Sequence, residues 1–559
     1  MKNIFFAVSI GALALMGCDD SVERDVVIYG SSPAAITAAI EAQNLGKSAI
    51  IVCPETRIGG LTTGGLGQTD IGNKRAFGGL ALEFYRDIAK YYKDPAAWKY
   101  EKRTDYLPDG QCAGTKGEDS MWTFEPSVAL KVLLDWERKH KLDIRRGEYL
   151  DRGVGGVVKK DGRIVSIRTL SGKVYAGKMF VDATYEGDLM AAAGISYIVG
   201  REPNSLYGEK NSGIQRVKSV NHQLEKGVSA YVIKGDPTSG LLPFVEQDCP
   251  ESDGTGDKRV QAYCFRMCLT DNPENRIPFT KPENYSELNY ELLLRNLEAI
   301  DSAVFAEKSA TPWDFMPWIN SRMPNRKTDT NNRTGFSTDF IGQNWSWPEA
   351  TYEERAKMLK AHLDYQRGLM WTLANHPRVP EPIRTHVARW GTCKDEFKDG
   401  LGDGWQSQLY VREARRMIGD YVMTESNCRH LVKSSRGIAM GAYTMDSHNV
   451  RRYVDQNGFA RNEGNIEDYE TLRLGPYPID YGAIIPKKSE CVNLFVPVCI
   501  SASHMAFGSI RMEPVFFALG QAAGAAAALA IDGDVKPQDL DYKVLRARLD
   551  AVGQVVELK

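Results

Sequence analysis

The chain has 559 residues, 70 of them basic and 72 acidic, and 43% are hydrophobic. That length makes two or more domains and allows sizeable cores. Near charge balance excludes bulk attraction to nucleic acid or anionic lipid, and ten scattered cysteines give no metal-ligand spacing.

Residues 1–18 read as a leader rather than as part of the fold. Lys2 supplies the positive end, and the apolar run Ile4 to Met16 is shorter than the ~20 residues of a membrane span. Leu15-Met16-Gly17-Cys18 resembles a bacterial lipoprotein cleavage box, with Cys18 the lipidated first residue; a plain signal peptide with a chance cysteine is the alternative. Asp19, Asp20 and Glu23 then read as an acidic tether. In an exported protein Cys264 with Cys268, or Cys491 with Cys499, are candidate disulfides.

The stretch Asp25 to Gly72 organises the rest. Val26 to Tyr29 is short, β-branched and closed by Gly30, as a buried parallel strand is. Pro33 presets a first-turn φ, and Ala34, Ala35, Ala38 and Ala39 make a thin helix that ends at Gly46 before the strand Ser48 to Val52. This βαβ unit offers a helix N-terminus to a pyrophosphate, with Gly30, Ser32, Pro33 and Ala34 as cofactor contacts. The Gly-x-Gly-x-x-Gly pattern is imperfect, since Ser32 and Ala35 replace its second and third glycines. Cys53 stands where an acidic ribose ligand is usual, and Glu55 follows two residues later. Alone, the motif suits either a dinucleotide site or a βαβ unit without ligand.

Six glycines in Ile58 to Gly72 let backbone pass close to a flat ligand, which adds Gly59, Gly60, Thr63 and Gly64 as contacts. Phe77-Gly78-Gly79 opens a helix running through Tyr91, and Trp122 to Pro126 leads into an amphipathic helix to His140, on either side of a polar and aromatic surface insertion from Asp94 to Gly117. Asp143 to Tyr175 alternates as strands with turns at Gly155-Gly156, Asp161-Gly162 and Ser171-Gly172. The apolar strand Lys178 to Val181 then enters Asp182-Ala183-Thr184-Tyr185-Glu186-Gly187-Asp188, where Thr184 and Gly187 are candidate contacts. A meander returning to a parallel strand is the order of FAD-binding rather than NAD-binding domains.

From Gly194 to Ser426 helices at Tyr290 to Ala306, Tyr352 to Ala374 and Gln408 to Glu425 alternate with aromatic loops. Trp313, Trp318, Trp345, Trp347, Trp371, Trp390 and Trp405 fit core packing or a sugar-binding cleft. The last third returns to the first domain through the strand Asn493 to Val498. A helix starting at Gly508-Ser509-Ile510 and running to Ala530 would point its dipole at a flavin.

The chain resembles the FAD-dependent oxidoreductases, glutathione-reductase-like flavoproteins of bacterial exported and carbohydrate-linked gene products, some loosely named xanthan lyases. The matching segments are Gly30 to Ala35, Gly59 to Gly72, Asp182 to Asp188, Tyr263 to Pro278, Leu409 to Arg416, Asp446 to Val450 and Cys499 to Gly524. The resemblance implies an α/β architecture with non-covalent FAD in a Rossmann-type domain built from N- and C-terminal segments, residues 19–193 and 427–535. A mainly helical substrate or cap region, 194–426, is inserted, and a tail, 536–559, follows. It implies redox chemistry at flavin N5 and does not name the substrate, for which a carbohydrate or other alcohol is the first expectation; the leader and Cys18 point to the bacterial cell envelope, with membrane contact through the lipid only. Oxidation of a hydroxyl needs a base, for which His504 is the first candidate and His448 the second. Arg511 and Arg322 suit an anionic or oxygen-rich substrate, whereas Arg412, Arg415 and Arg416 read as ion-pair residues on one helix. A flavin-dependent reductase of an unsaturated acid and a non-catalytic glycan-binding protein are the alternatives.

Overall fold

A computed structural model describes residues 21–114, 117–300, 316 and 318–558; the leader, Cys18 and Trp313 lie outside the described residues. Strand β1 (Ser21–Tyr29), helix α1 (Pro33–Asn44) and strand β2 (Ala49–Cys53) form the expected βαβ unit. β3 (Asp143–Arg146) pairs parallel with β2, and β6 (Val174–Asp182) pairs parallel with β1 along its full length. The antiparallel strands β4 (Val157–Lys160) and β5 (Arg163–Arg168) border the start of β6, and β7 (Leu494–Phe495) borders its end.

Three expectations change here. Glu23 belongs to β1, not to a tether, because Ser21 to Arg24 pair with Val174 to Gly177. Asp143–Arg146 is a parallel strand rather than the start of the meander, and Val174–Asp182 is one unbroken strand. The C-terminal segment is no loose tail: Leu545 and Leu549 of the helix Tyr542–Ala551 are fully buried in the first core.

Side chains alternate across the sheet with period two. Val26, Ile28 and Ile51 face a core shared with α1, while Val27, Tyr29, Ile50 and Val52 face the side covered by Leu150 and Ile164. On the first face lies the helix Glu513–Asp532, long and apolar enough to cross a membrane but 89% buried over its most apolar window. A Cβ on Gly520 or Gly524 would come within 2.3 Å of a carbonyl of α1, so these glycines set the spacing between the two helices. Alanine packing is therefore the reason for its composition, as expected, though the partner is α1 as well as the sheet.

A second core gathers residues between Leu224 and Ala460 around a five-stranded antiparallel sheet that contains Met267–Thr270, Lys327–Asn332 and Gly391–Cys393. α2 (Tyr352–Asn375) packs on it and starts with a capping box between Thr351 and Glu354. Within the expected helix Tyr290 to Ala306, Glu291–Glu298 is helical, and residues 301–306 lie outside the described residues. The tryptophans do not line one cleft. Trp318 and Trp405 are core, Trp345 sits against Arg259, Trp371 against Tyr285, and Trp390 against His386.

Gln408 to Glu425 is not a helix. Arg415–Met417 is a strand paired with Tyr197–Val199, and its arginines reach carboxylates on opposite sides: Arg415 to Asp188, Arg416 to Glu202. Only an extended chain sends adjacent side chains opposite ways, so burying two charges with separate partners overrides helix propensity. The ion-pair reading of these arginines holds; the helix does not.

The cysteine pairings also differ. All nine described cysteines are free and buried. Cys264 lies beside Arg412, and the Cys491 and Cys499 thiols donate to Asn493 and to the Thr184 carbonyl.

Candidate active site

A cleft of about 320 Å³ opens at the C-terminal ends of β1 and β2, between the two cores. Gly30 turns the chain at φ 117°, and a Cβ there would come within 2.6 Å of the Ala183 carbonyl group. Ser32 is the N-cap of α1 without capping it, because its hydroxyl donates to the Ala183 oxygen at 2.7 Å. Pro33 at the first position has no donor to give and Ala35 donates to the Ser32 carbonyl, so the Ala34 amide and the helix dipole are what α1 keeps for an anion. Serine in the second glycine position therefore ties the cradle to the strand end opposite.

Glu55 lines the cleft and accepts the Ser31 hydroxyl at 2.8 Å. Desolvation by the cleft walls pushes its carboxyl up to about 7, against that hydrogen bond. Cys53 is buried in β2 and its thiol donates to the Glu55 carbonyl, so Glu55 and not Cys53 is the residue after β2 that lines the cleft. Opposite, Trp347 donates to Glu186, and Arg355 of α2 grips Asp188 through two bonds of 2.6 and 2.9 Å. Arg152 and Arg415 reach the same carboxylate, which fastens the second core to the Asp182–Asp188 turn.

The other cofactor candidates divide. Thr184 lines the cleft, as does Gly60, whose added Cβ would come within 2.2 Å of the Tyr185 hydroxyl. Gly59 packs on Leu133, Gly64 on Gln408, and the Thr63 hydroxyl donates to the Ile58 carbonyl. Gly187, at φ 70°, packs on Met190 and Cys499. Gly508, Ser509 and Ile510 are not a helix start. They end the short helix α3 (His504–Ile510), with Gly508 against the Asp446 backbone, the Ser509 hydroxyl donating to the Tyr443 carbonyl, and Ile510 fully buried. The long helix, α4 (Glu513–Asp532), starts three residues later. The buried Glu513 carboxylate accepts the Thr62 hydroxyl at 2.6 Å and the Tyr185 hydroxyl at 2.8 Å, and burial pushes it up to about 7.

Beside the glycine-rich segment, Leu61 and Leu66 pack with Cys264 and Tyr410, next to a cluster of buried charged side chains. Its contacts close a ring. Arg511 donates to the Tyr410 hydroxyl and to Asp446, both at 2.8 Å. His448 stands between Asp446, 3.4 Å from Nε2, and Asp339, 2.8 Å from Nδ1. Asp339 also pairs with Arg412 at 2.8 Å, and Arg412 lies over the Tyr410 ring at 4.5 Å. Burial opposes charge on Asp339, yet Arg412 and His448 hold it down at about 2. Arg266, itself paired twice with Asp329, adds a third guanidinium at 5.7 Å from the ring. Among the described residues the Nε atoms of Arg412 and Arg511 are buried without a hydrogen-bond partner. At the edge, Asp70 has its carboxyl raised by burial, with Arg266 opposing.

Of the three candidates for catalysis, His448 and Arg511 share the Asp446 carboxylate. His504 does not join them. It is 2% exposed, its Nδ1 meets Glu413 at 2.8 Å, and its backbone amide donates to Glu202. Gln261 links the two histidines by donating to Glu413 and accepting the His448 amide. Arg322 is half exposed and paired with Glu101. Arg266, Asp329 and Asp339 escaped the sequence reading; a polar run such as Thr328-Asp329-Thr330 bounded by core residues carries only a faint signal.

A sheet with parallel β3, β2, β1 and β6, an uncapped first helix, a glycine cradle and an acidic group after β2 fit the dinucleotide-binding class. The family model for FAD dependent oxidoreductase matches residues 25–549, and the chain belongs to that family. It is an FAD-dependent oxidoreductase, and the cradle, the free helix end and Glu55 fit FAD. No curated protein sequence matches it. Similar solved structures include L-amino acid deaminase from Proteus vulgaris, 15% identical over 32% of this chain and 52% of that one, TM-score 0.22. Another is OxyS anhydrotetracycline hydroxylase from Streptomyces rimosus, 16% identical over 33% and 36%, TM-score 0.22. The chain thus spans about a third to a half of the length of these flavoenzymes, and likeness at that level carries no argument about substrate.

Proposed function

We propose that this oxidoreductase is exported, anchored through a lipid on Cys18 in the bacterial cell envelope, and oxidises a small oxygen-rich substrate, a carbohydrate or other alcohol. The observation that carries the substrate class is the ring of Arg511, Tyr410, Arg412, Asp339, His448 and Asp446 beside the glycine-rich segment. Bound FAD supplies a two-electron hydride acceptor. Gly30, the α1 N-terminus and Glu55 would hold its phosphates and ribose. Arg412 and Arg511 offer buried, unpartnered Nε donors to substrate oxygens. Asp70, made more basic by burial, takes the hydroxyl proton. His448 fixes Asp446 and Asp339, and so fixes both arginines; His504 acts at a distance, through Glu413 and Gln261.

A second reading has its own support. An imidazole with a carboxylate at each nitrogen offers two donors only in its charged form, which suits giving a proton rather than taking one. With three arginines around Tyr410, that favours reduction of an unsaturated acid.

Anaerobic absorption spectra of the FAD-loaded chain separate the two. Bleaching by one sugar or alcohol supports oxidation. No bleaching by any of them, with reoxidation of the reduced enzyme by an unsaturated acid, overturns it. A Cys18→Ser chain that stays with membranes would remove the lipid anchor.

A further inference from the structure

Two cysteines meet where the flavin site does not need them. Cys268 lies in the strand Met267–Thr270 and Cys393 in Gly391–Cys393, antiparallel neighbours with Gly391 opposite Thr270 and Thr392 opposite Leu269. The same register sets Cys393 opposite Cys268, and their sulfurs stand 3.8 Å apart. Opposed residues of antiparallel strands have Cα atoms about 4.5–5.5 Å apart, inside the window of about 4.4–6.8 Å that a disulfide spans. Closing the bond therefore needs side-chain rotation, not a new backbone. Met323 and Phe397 wall the pair, and both side chains are buried. The Cys393 thiol also reaches the Cys268 carbonyl at 3.5 Å, whereas the Cys53, Cys112, Cys491 and Cys499 thiols donate to oxygen atoms with no second thiol beside them among the described residues.

We propose that Cys268 and Cys393 form a structural disulfide that staples the second sheet when the chain folds in an oxidising compartment. The pairing rests on strand geometry; only its occurrence in the cell rests on the export reading. The oxidant is a disulfide carrier, either a small disulfide or a thiol oxidoreductase. One cysteine thiolate attacks the carrier disulfide and releases one carrier thiol, forming a mixed disulfide. The second cysteine displaces the other carrier sulfur. One S–S bond forms, one is consumed, the cysteines lose two electrons and two protons, and the carrier leaves as two thiols. The bond closes before Met323 and Phe397 cover it, after which burial of both sulfurs keeps attacking thiolates away and slows exchange. The linked residues are 125 apart in sequence, so the staple removes much of the freedom of the unfolded chain.

The competing reading is two thiols packed as small apolar groups. The full chain is reduced, unfolded and refolded with glutathione, glutathione disulfide and FAD, and the flavin-binding fraction is unfolded again and alkylated. The same chain made in a host with an oxidising cytoplasm gives the readout without refolding. The expected result is two unlabelled cysteines, a mass about 2 Da below the fully reduced chain, and a Cys268–Cys393 peptide pair that reduction separates. Cys393→Ser should leave Cys268 labelled. Full labelling of wild type in both preparations, or linkage to a different cysteine, overturns the proposal. If the bond forms in these preparations but is absent from chain extracted from its own cells, the pairing stands and the export reading fails.

Discussion

The cradle of the cleft and the buried charged ring are built on opposite principles, though one glycine-rich segment joins them. The cradle is made of backbone: Gly30 turns where a side chain would strike Ala183, and the end of α1 is left uncapped by Ser32, while Trp347, Arg355 and Gln408 line other parts of the cleft. The turn and the helix start lie within a few residues of each other in sequence. The ring is made of charged side chains from Asp70, Arg266, Asp339, Arg412, Asp446 and Arg511, segments that the fold brings together from across the chain. Backbone sites tolerate little added volume, whereas a ring of buried charges tolerates added volume better than a lost partner, since a buried charge left alone costs several kcal/mol. The first region should thus fail by loss of cofactor, and the second by loss of chemistry with cofactor retained.

Gly30→Val tests the first half most severely. A β-branched residue at φ 117°, 2.6 Å from backbone, should abolish flavin retention and lower the thermal midpoint, read by the flavin-to-protein absorbance ratio and a melting curve. Flavin content equal to wild type would break the comparison. Arg511→Lys should keep flavin and slow substrate-driven bleaching by roughly 100-fold, since lysine cannot serve Tyr410 and Asp446 together. Loss of flavin in that variant would mean that the ring belongs to the cofactor site.

Glu55→Gln should weaken FAD binding by about tenfold, the loss of one charge-assisted hydrogen bond. Because its carboxyl sits at about 7, wild-type affinity should fall as pH drops through that value, while the glutamine variant stays flat in a titration followed by flavin fluorescence. Glu513 gives the smallest effect, on stability alone. Its folded value of about 7 lies above the ordinary 4.5, so the folded state holds the extra proton between them. Its stabilising contribution is complete below about 4.5 and is lost as pH rises to about 7. Glu513→Gln should flatten the melting temperature over that window; an unchanged slope would show that other groups set it.

The sheet was legible because its signals are local. Val26 to Tyr29, Gly30 and the alanines of α1 each declare their conformation through neighbours a few residues away, and the helices Gly79–Tyr91 and Pro126–His140 did the same. Gln408 to Glu425 carried an equally good helical pattern and became extended chain, because Asp188 and Glu202 wait on opposite sides of Arg415 and Arg416. Likewise the break between Ile510 and Glu513 splits what the sequence joins into one helix.

Residue order by itself determined the βαβ unit, the FAD-binding order of strands and the ion-pairing character of the Leu409 to Arg416 segment. Tertiary structure alone decided that Glu55 faces the cleft while Cys53 is buried, that His448 shares a carboxylate with Arg511, and that His504 is held elsewhere by Glu413. The reason is range. Turn and helix preferences act over a few residues, whereas the partner of a buried charge is chosen by whichever distant segment the packed chain sets within hydrogen-bond reach.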